Sequence, residues 1–301
     1  TVRCCTQNGV RGGNATVHFP IWHPEIEDIL VLKNNKGTED NRVRRMDYSI
    51  QISKLFYERF MNEGDITLIS PHMAPGLYEA FGTEEFDDLY LKYEADKTIP
   101  KKTVPAQDLF FDLLKERAET GRIYIMNLDH CNSHSSFKDK VSMSNLCQEI
   151  TLPTTPIQHP DDDQGEIALC ILSAVNVGAL NDLSELDNIC DLSVRALEQI
   201  IDYQDYPVKA AEVSTKKRRS LGIGYIGLAH YLAKNGVKYS DPKAWELVDR
   251  LSEAFQYYLL RASCDIAEEK GKCTAFDRTK YADGLLPIDH YKKEVDEIVT
   301  H

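Results

Sequence analysis

The sequence predicts an α/β protein with parallel strands. Short runs of apolar and β-branched residues alternate along the chain with longer segments whose apolar residues recur at helical spacing. Apolar residues make up 42% of the 301 positions and charged residues 28%, so the chain can bury a large core. This alternation does not by itself distinguish a doubly wound sheet from a barrel.

In the first half of the chain, four β-type runs alternate with helical patterns. Strands are predicted at residues 17–21, 46–52, 66–69 and 123–128. Pro24 opens a first predicted helix, and a second covers residues 53–62. An acidic amphipathic segment follows at 84–96. A further helix begins at 103–105 and ends at Gly121, since glycine commonly follows the last helical residue.

The second half repeats the alternation with longer helices. A continuous apolar run predicts a buried strand at residues 167–172. A helix is predicted from Ser184 onwards, with Leu186, Val194 and Leu197 on its buried face. The longest predicted helix covers residues 242–270, and Gly271 ends it.

Charge and hydropathy exclude two classes of function. The formal net charge of −13 argues against nucleic-acid binding by the chain as a whole, because contacts to phosphate need a basic surface. We find no apolar run long enough to cross a bilayer and no signal-peptide pattern, so we predict a cytoplasmic location. Because Thr1 is followed almost at once by a glycine-rich stretch, we expect the chain to start in mid-domain.

Most of the eight cysteines are expected to be reduced in the cytoplasm. No CxxC pair occurs, so a structural zinc site is not predicted. His130, Cys131 and His134 have metal-binding side chains, but their spacing matches no metal motif. Hydrogen-bonded loop residues are the favoured interpretation there, and no metal site is predicted.

The strongest candidate for chemistry is the segment that runs from Asn145 to Glu149. If it is extended, Asn145, Cys147 and Glu149 share one face, because side chains two residues apart point the same way. Leu146 and Gln148 would then point to the other face. The shared face offers an amide, a carboxylate that can act as a base, and a thiol that can act as a nucleophile or one-electron centre. The alternative is a buried structural cysteine between surface polar residues.

Two further segments contain candidate residues. The glycine-rich stretch at 7–13 can approach a ligand closely, and Arg11 could stack on a base or bind phosphate. A simple turn before the next strand is the alternative. Cys170 ends an apolar run, and its residue type alone favours a buried structural role.

The stretch from Gly222 to Gly227 matches the GxGxxG pattern of dinucleotide-binding sites. The basic run at 216–220 before it is a poor strand, which argues against an NAD-dependent dehydrogenase. The small residues are better interpreted as sites of close helix packing, and the basic run as a solvated surface.

Taken together, the motifs resemble the large catalytic subunit of class I ribonucleotide reductases, close to the bacterial and phage type. The resemblance covers essentially the whole chain in one continuous order. It is carried by GVRGG at 9–13, VLKNN at 31–35, NRVR at 41–44, GRIYI at 121–125, SNLC at 144–147, EIALC at 166–170, DYQDYP at 202–207 and LLPID at 285–289.

The resemblance implies a fold and a set of site residues. Residues 1–301 would form the central part of a ten-stranded α/β barrel with a central finger loop. Cys147 would be the thiyl-radical residue that abstracts the 3′ hydrogen of the substrate ribose. Glu149 would be the base for the 3′ hydroxyl, and Asn145 a hydrogen-bonding partner of the same ribose. Cys170 would be one of the two cysteines that supply reducing equivalents.

The remaining residues that the resemblance assigns lie beside these groups. Leu146 and Gln148 complete the substrate-contacting segment 145–149. Cys5, Gln7 and Arg11 would form the loop that links the allosteric specificity site to the substrate base.

The resemblance also implies partners. They are a ribonucleoside diphosphate substrate, a metal-containing small subunit that supplies the radical, nucleoside triphosphate effectors, a second large subunit, and a reductant of the thioredoxin or glutaredoxin type. No cofactor is expected on this chain itself. The amino-terminal activity region, the cysteine that pairs with Cys170 and the carboxy-terminal part of the barrel lie outside the resemblance, so we expect residues 1–301 alone to be inactive. A non-catalytic segment that only binds nucleotide or other subunits is the alternative.

Overall fold

The computed structural model describes residues 2–290, apart from the side chains of Arg3 and Gln7. They form two compact units, one made of residues 2–153 with 285–290 and the other of Thr154–Gly284. Helices and strands alternate in both, which confirms the predicted α/β class. Within the described residues, no helix is both long and apolar enough to span a membrane.

Between residues 2 and 153, the first unit contains seven strands and six α-helices. The strands are β1 (Thr6–Gln7), β2 (Arg11–Gly12), β3 (Thr16–Pro20), β4 (Asp47–Ile52), β5 (Asp65–Ile69), β6 (Lys101–Pro105) and β7 (Ile123–Asn127). The helices are α1 (Ile26–Leu30), α2 (Lys54–Met61), α3 (Leu77–Ala80), α4 (Phe86–Ala95), α5 (Ala106–Thr120) and α6 (Leu128–Ser133).

A parallel sheet of three strands, in the order β3-β4-β7, organises this unit. Its central strand alternates polar and apolar residues, and all six of them are buried. Tyr48, Ile50 and Ile52 therefore face one side of the sheet, while the polar residues of β4 face the other. The apolar side packs against the core of the unit, so the polar side must be covered by something other than that core.

Aromatic side chains fill the core of the first unit. Trp22, Phe56, Phe81 and Tyr90 are fully buried. The ring of Trp22 meets that of Phe81 edge-on, with 5.5 Å between their centroids. Burial of each such side chain contributes about 1.5–3 kcal/mol, which keeps the sheet and its helices in place.

The second unit consists of two parallel strands covered by helices. The strands are β8 (Ile171–Asn176) and β9 (Leu221–Ile226), and the helices are α7 (Leu186–Tyr203), α8 (Lys209–Arg218), α9 (Leu228–Lys234) and α10 (Pro242–Lys270). Helix α7 buries Leu186, Val194 and Leu197, as its spacing predicted. Helix α10 has the predicted bounds and ends at Gly271, whose φ is +89°.

Most predicted strands lie within a residue or two of the observed ones, but two segments differ. Residues 103–105, predicted to start a helix, belong instead to β6, which pairs antiparallel with β5. The strand predicted at 167–172 is wrong in position, because β8 begins only at Ile171. The backbone of Ile167 instead donates to the carbonyl of Ala210, and Glu166 pairs antiparallel with Thr155.

The GxGxxG segment is not a dinucleotide loop, because Gly222 and Gly224 lie inside β9. The interpretation as a helix-packing site is also wrong for Gly222. A Cβ atom there would lie 2.4 Å from Cδ2 of Leu172, so glycine allows two strands to approach. Gly227, with a φ of +80°, ends the strand and precedes α9.

The basic run at 216–220 is not simply a solvated surface. Arg218 is buried, and its Nε lies 2.5 Å from Oε2 of the buried Glu166, which Lys217 also contacts. Burial alone would raise the pKa of Glu166, but hydrogen bonds and charge from Arg218 and Lys217 together lower it. The carboxylate therefore stays ionised and links the backbone just before Cys170 to the end of α8.

Replacement of Glu166 should destabilise the second unit. We expect Glu166→Gln to lower its free energy of unfolding by about 2–4 kcal/mol, because the substitution removes the negative charge that faces the buried guanidinium of Arg218. Since the pKa of Glu166 lies below its ordinary value of 4.5, its contribution is present above that pH and is lost as the pH falls through the lowered pKa. Urea unfolding followed by hydrogen exchange of residues 154–284 measures both effects.

The matched control is Glu269→Gln. Glu269 pairs with Arg195 at the surface, where the two side chains are 52% and 36% exposed, so its loss should cost far less than that of Glu166. Equal effects of the two substitutions would show that burial of the Glu166 pair contributes nothing.

Candidate active site

The segment that carries Cys147 lies on the polar side of the three-stranded sheet. We call residues 142–150 the Cys147 loop. The side-chain amide of Gln51 in β4 donates to the carbonyl of Ser142 over 2.7 Å. The hydroxyl of Thr16, at the start of β3, donates to the carbonyl of Leu146 over 2.6 Å. The loop is thus held to β3 near the start of that strand and to β4 near its end.

Gln148 is the third anchor of the Cys147 loop and joins it to two strands. Its Oε1 accepts from the hydroxyl of Ser49 in β4 at 2.5 Å, and its Nε2 donates to the carbonyl of Ile125 in β7 at 2.6 Å. The backbone of Gln148 is left-handed, with a φ of +64°, which costs of order 1–3 kcal/mol for a residue with a side chain. Two net hydrogen bonds of about 0.5–1.5 kcal/mol each offset this strain.

The loop forms a turn, so the extended conformation on which the predicted common face rested is wrong. The amide of Gln148 donates to the carbonyl of Asn145 at 3.2 Å. The side-chain oxygen of Asn145 accepts from the amide of Ile150 at 3.1 Å and from the hydroxyl of Ser144 at 3.2 Å. Asn145 is half-buried and stabilises the turn, whereas Cys147 and Glu149 are exposed.

This arrangement determines what the loop can do chemically. The carbonyl of Leu146 and the side chain of Gln148 hold the loop to the sheet, which leaves the thiol of Cys147 and the carboxylate of Glu149 accessible to a ligand. The alternative of a buried structural cysteine is therefore wrong at this position. Cys190 shows the contrast, since burial raises the pKa of its thiol to about 11.

The glycine-rich stretch near the start of the chain forms a short antiparallel hairpin. Thr6 pairs with Gly12, and Gln7 with Arg11. The turn passes through Asn8 and Gly9, with φ values of +52° and +71°. Cys5 and Arg11 are exposed, and the side chain of Gln7 lies outside the described part of the chain. We call residues 5–13 the amino-terminal hairpin.

Gly13 closes the base of the amino-terminal hairpin. A Cβ atom on Gly13 would lie 2.3 Å from the carbonyl oxygen of Cys5 and 2.6 Å from that of Val2. Both distances are shorter than real contacts of a Cβ atom, so only glycine fits. Gly12 has nothing within 4 Å of the corresponding position. Thr16 follows three residues after Gly13, so the hairpin is joined directly to an anchor of the Cys147 loop.

Cys170 belongs to the second unit and is exposed immediately before β8. Its residue type predicted burial, and that expectation is wrong. The apolar run from 167 to 172 suggested the end of a strand, whereas Cys170 precedes the first paired residue, Ile171. The structure thus brings the segment 145–149 and the amino-terminal hairpin into one unit and places Cys170 in the other.

Three residues that hold the site escaped the sequence analysis, namely Thr16, Ser49 and Gln51. A usable signal was present in β4, where polar residues alternate with apolar ones although strands 17–21 and 123–128 on either side are apolar in character. Such alternation in a central strand indicates a polar surface that another segment covers. Within residues 2–290, no cluster of three or more His, Cys, Asp or Glu side chains could hold a metal ion.

Comparison with known proteins identifies the family. The family model described as "Ribonucleotide reductase, barrel domain" matches residues 1–300. The chain belongs to the ribonucleotide reductase family. Its match to the model leaves a single residue uncovered, so the two units and the Cys147 loop are parts of this family's domain.

Relatives in bacteria and a phage match the ribonucleotide reductase chain over almost its full length. The ribonucleoside-diphosphate reductase subunit alpha of Haemophilus influenzae is 57% identical over 302 residues, which cover 99% of this chain. The corresponding figures are 55% over 304 residues for the ribonucleoside-diphosphate reductase 1 subunit alpha of Escherichia coli and 43% over 307 residues for the subunit alpha of Enterobacteria phage T4, each with 99% of this chain covered. The chain spans about 40% of the length of these relatives.

Loss of the Ser49 hydroxyl should loosen the Cys147 loop. In Ser49→Ala, Oε1 of Gln148 loses its donor, which we expect to cost about 1–2 kcal/mol. Amide exchange in residues 142–150 should then accelerate by about tenfold, and hydrogen exchange with mass spectrometry measures it. Ser193→Ala is the control, because that hydroxyl bonds within α7 of the other unit. Unchanged exchange in Ser49→Ala would contradict the anchoring role of Gln148.

The amino-terminal hairpin should depend on Gly13 and not on Gly12. Gly13→Ala places a methyl group against two backbone oxygens, so we expect faster amide exchange across residues 5–13. Gly12→Ala meets open space and should leave exchange there near that of the parent. Equal exchange in both variants would show that the close approach at Gly13 does not hold the hairpin.

Proposed function

We propose that the chain is the catalytic barrel segment of a ribonucleoside-diphosphate reductase large subunit, which reduces ribonucleotides to deoxyribonucleotides. One observation carries the proposal: in a chain of this family, the thiol of Cys147 is exposed at the turn of a loop, and hydrogen bonds from three side chains of the sheet hold that loop in place. A thiol that must meet a substrate needs both access and a fixed position.

In the proposed mechanism Cys147 acts as a thiyl radical and takes the 3′ hydrogen of the substrate ribose. Glu149, exposed two residues away, takes the proton of the 3′ hydroxyl. The side-chain oxygen of Asn145 already accepts two hydrogen bonds within the turn, so we assign the contact with the ribose to its side-chain NH2 group. Leu146 and Gln148 belong to the same substrate-contacting segment and hold the turn in place.

Cys170 is proposed as one of the two thiols that reduce the substrate. As the 2′ hydroxyl leaves as water, the two thiols lose their hydrogens and join in a disulfide, so that one ribonucleotide and two thiols give one deoxyribonucleotide, one disulfide and one water. The exposure of Cys170 supports this role. Its partner thiol is assigned to a segment of the large subunit outside residues 1–301.

The finer fold and the regulatory role follow from the same proposal. We assign residues 1–301 to the central part of a ten-stranded α/β barrel whose finger is the Cys147 loop. The parallel strands β3-β4-β7 and β8-β9 support this assignment. The amino-terminal hairpin, with Cys5, Gln7 and Arg11, is the proposed specificity loop, and exposure of Cys5 and Arg11 allows contact with nucleotide.

Partners are proposed by the same inference. The word "alpha" in the names of the relatives indicates a second type of subunit, which we propose supplies the radical from its metal site. Nucleoside triphosphates are the proposed effectors, a second large subunit the proposed dimer partner, and a thioredoxin or glutaredoxin the proposed reductant. The cytoplasm is the compartment that keeps such thiols reduced.

Replacement of the proposed radical residue tests the function. In a complete large subunit that contains this chain, assayed with its small subunit, Cys147→Ser should abolish turnover, because a hydroxyl does not replace the thiol as a one-electron centre. Nucleotide affinity, measured by equilibrium binding, should remain close to that of the parent. Cys264→Ser is the control, since Cys264 is exposed on α10 in the other unit and should be dispensable. Turnover by the Cys147→Ser enzyme would overturn the proposal.

A further inference from the structure

Beneath the Cys147 loop, the sheet carries the imidazole ring of His18. His18 lies in β3 directly opposite Ser49, so both side chains point to the side that the loop covers. Both ring nitrogens of His18 are buried, and neither forms a hydrogen bond of acceptable geometry with the described residues. Oε1 of Gln51, on the same side, is buried and unpaired in the same sense.

We propose that His18 is a positioning residue for the Cys147 loop. In its neutral form the imidazole lets the loop dock on the sheet, and protonation of the ring displaces the loop. The effect on turnover rests on the proposed function, whereas the movement of the loop does not.

The site accommodates a neutral ring and not an imidazolium. Burial lowers the pKa of His18, and the backbone of Ser144 in the loop above offsets only part of this effect. A protonated ring has two N–H donors and a full charge, and both need partners that a buried site must supply. Two acceptors on this side of the sheet are uncharged: the hydroxyl oxygen of Ser49, whose proton goes to Gln148, and Oε1 of Gln51. They leave the positive charge of an imidazolium unbalanced.

None of the charged groups around the ring supplies a free negative charge. Asp47 lies on the same side of the sheet, but its carboxylate is shared between Lys33 and Arg122. Tyr124, opposite Ser49 on β7, contributes a phenol and no carboxylate. The two titratable groups of the loop itself, Cys147 and Glu149, are exposed and not packed beneath it.

The direction of the pH effect follows from this geometry. With the loop docked, the pKa of His18 lies below its ordinary value of 6.5, and a displaced loop would let water reach the ring and return the pKa towards that value. The displaced state therefore binds more protons. Docking is fully favoured above about pH 6.5 and weakens as the pH falls towards the lowered pKa, by up to about tenfold per pH unit.

The test uses a complete large subunit with its small subunit and two variants that cannot be protonated, His18→Phe and His18→Gln. We expect the kcat of the parent to fall below about pH 6.5 with little change in KM, and the kcat of both variants to persist to lower pH. The parent-to-variant ratio of amide exchange in residues 142–150 should rise several-fold from about pH 8 to pH 5.5, because the ratio cancels the ordinary pH dependence of exchange.

His23→Gln is the matched control. His23 is also partly buried, and burial lowers its pKa, but its ring meets that of Phe19 edge-on, and Phe19 points to the apolar side of the sheet. This variant should keep the pH profile of the parent.

The outcomes separate the two proposals. An exchange ratio that stays flat with pH overturns the role of His18, and so does a kcat profile of His18→Phe and His18→Gln that matches the parent. If the enzyme has no reductase activity but the exchange ratio still rises in acid, the proposed function fails and the positioning of the loop by His18 stands. If His18→Phe does not fold, His18→Gln carries the comparison.

Discussion

The side-chain amide of Gln148 connects the loop with the exposed thiol to two neighbouring strands at once. It accepts from Ser49 in β4 and donates to the backbone of Ile125 in β7. Both bonds form only when the loop crosses the sheet at one position along these strands. These bonds help to offset the left-handed backbone at Gln148, together with the local bonds that Asn145 makes within the turn. The position of the turn on the sheet, and with it that of the thiol, therefore depends on the side chain of Gln148 as well as on local contacts within the segment.

The parts of the fold that local patterns determine could be predicted from the sequence. Helix α10 has its predicted bounds because its apolar spacing and its terminal glycine are local signals. Strand β6 was missed because its extended form comes from pairing with β5, some 36 positions earlier at the Thr67–Thr103 contact. The start of β8 was misplaced for a related reason. The apolar run before it is continuous, but the backbone of Ile167 bonds to Ala210 and leaves the sheet unpaired until Ile171.

In the candidate site, too, local features could be predicted from the sequence and contacts between distant positions could not. Residue types and family resemblance pointed to Cys147, Glu149 and Cys170, and the structure exposes the thiols and the carboxylate. The geometry of the turn could not be predicted, because it depends on Ser49, 99 positions before Gln148. Arg218 was mistaken for a solvated residue for the same reason, since the carboxylate that holds it lies 52 positions earlier. Periodicity reports which face of an element is apolar, but it does not report which distant polar group will meet a given side chain.

The strict alternation within β4 also bears on how the first unit acquires its structure. If this strand paired one residue out of step, Asp47, Ser49 and Gln51 would enter the aromatic core and three apolar side chains would lie under the loop. Such a slipped arrangement loses favourable contacts on both sides of the sheet, so misaligned pairings are disfavoured before the loop has docked. The polar residues of β4 that hold the loop thereby also set the register of the strand during folding. A single-residue insertion within β4 would impair both the folding of the first unit and the position of the Cys147 loop.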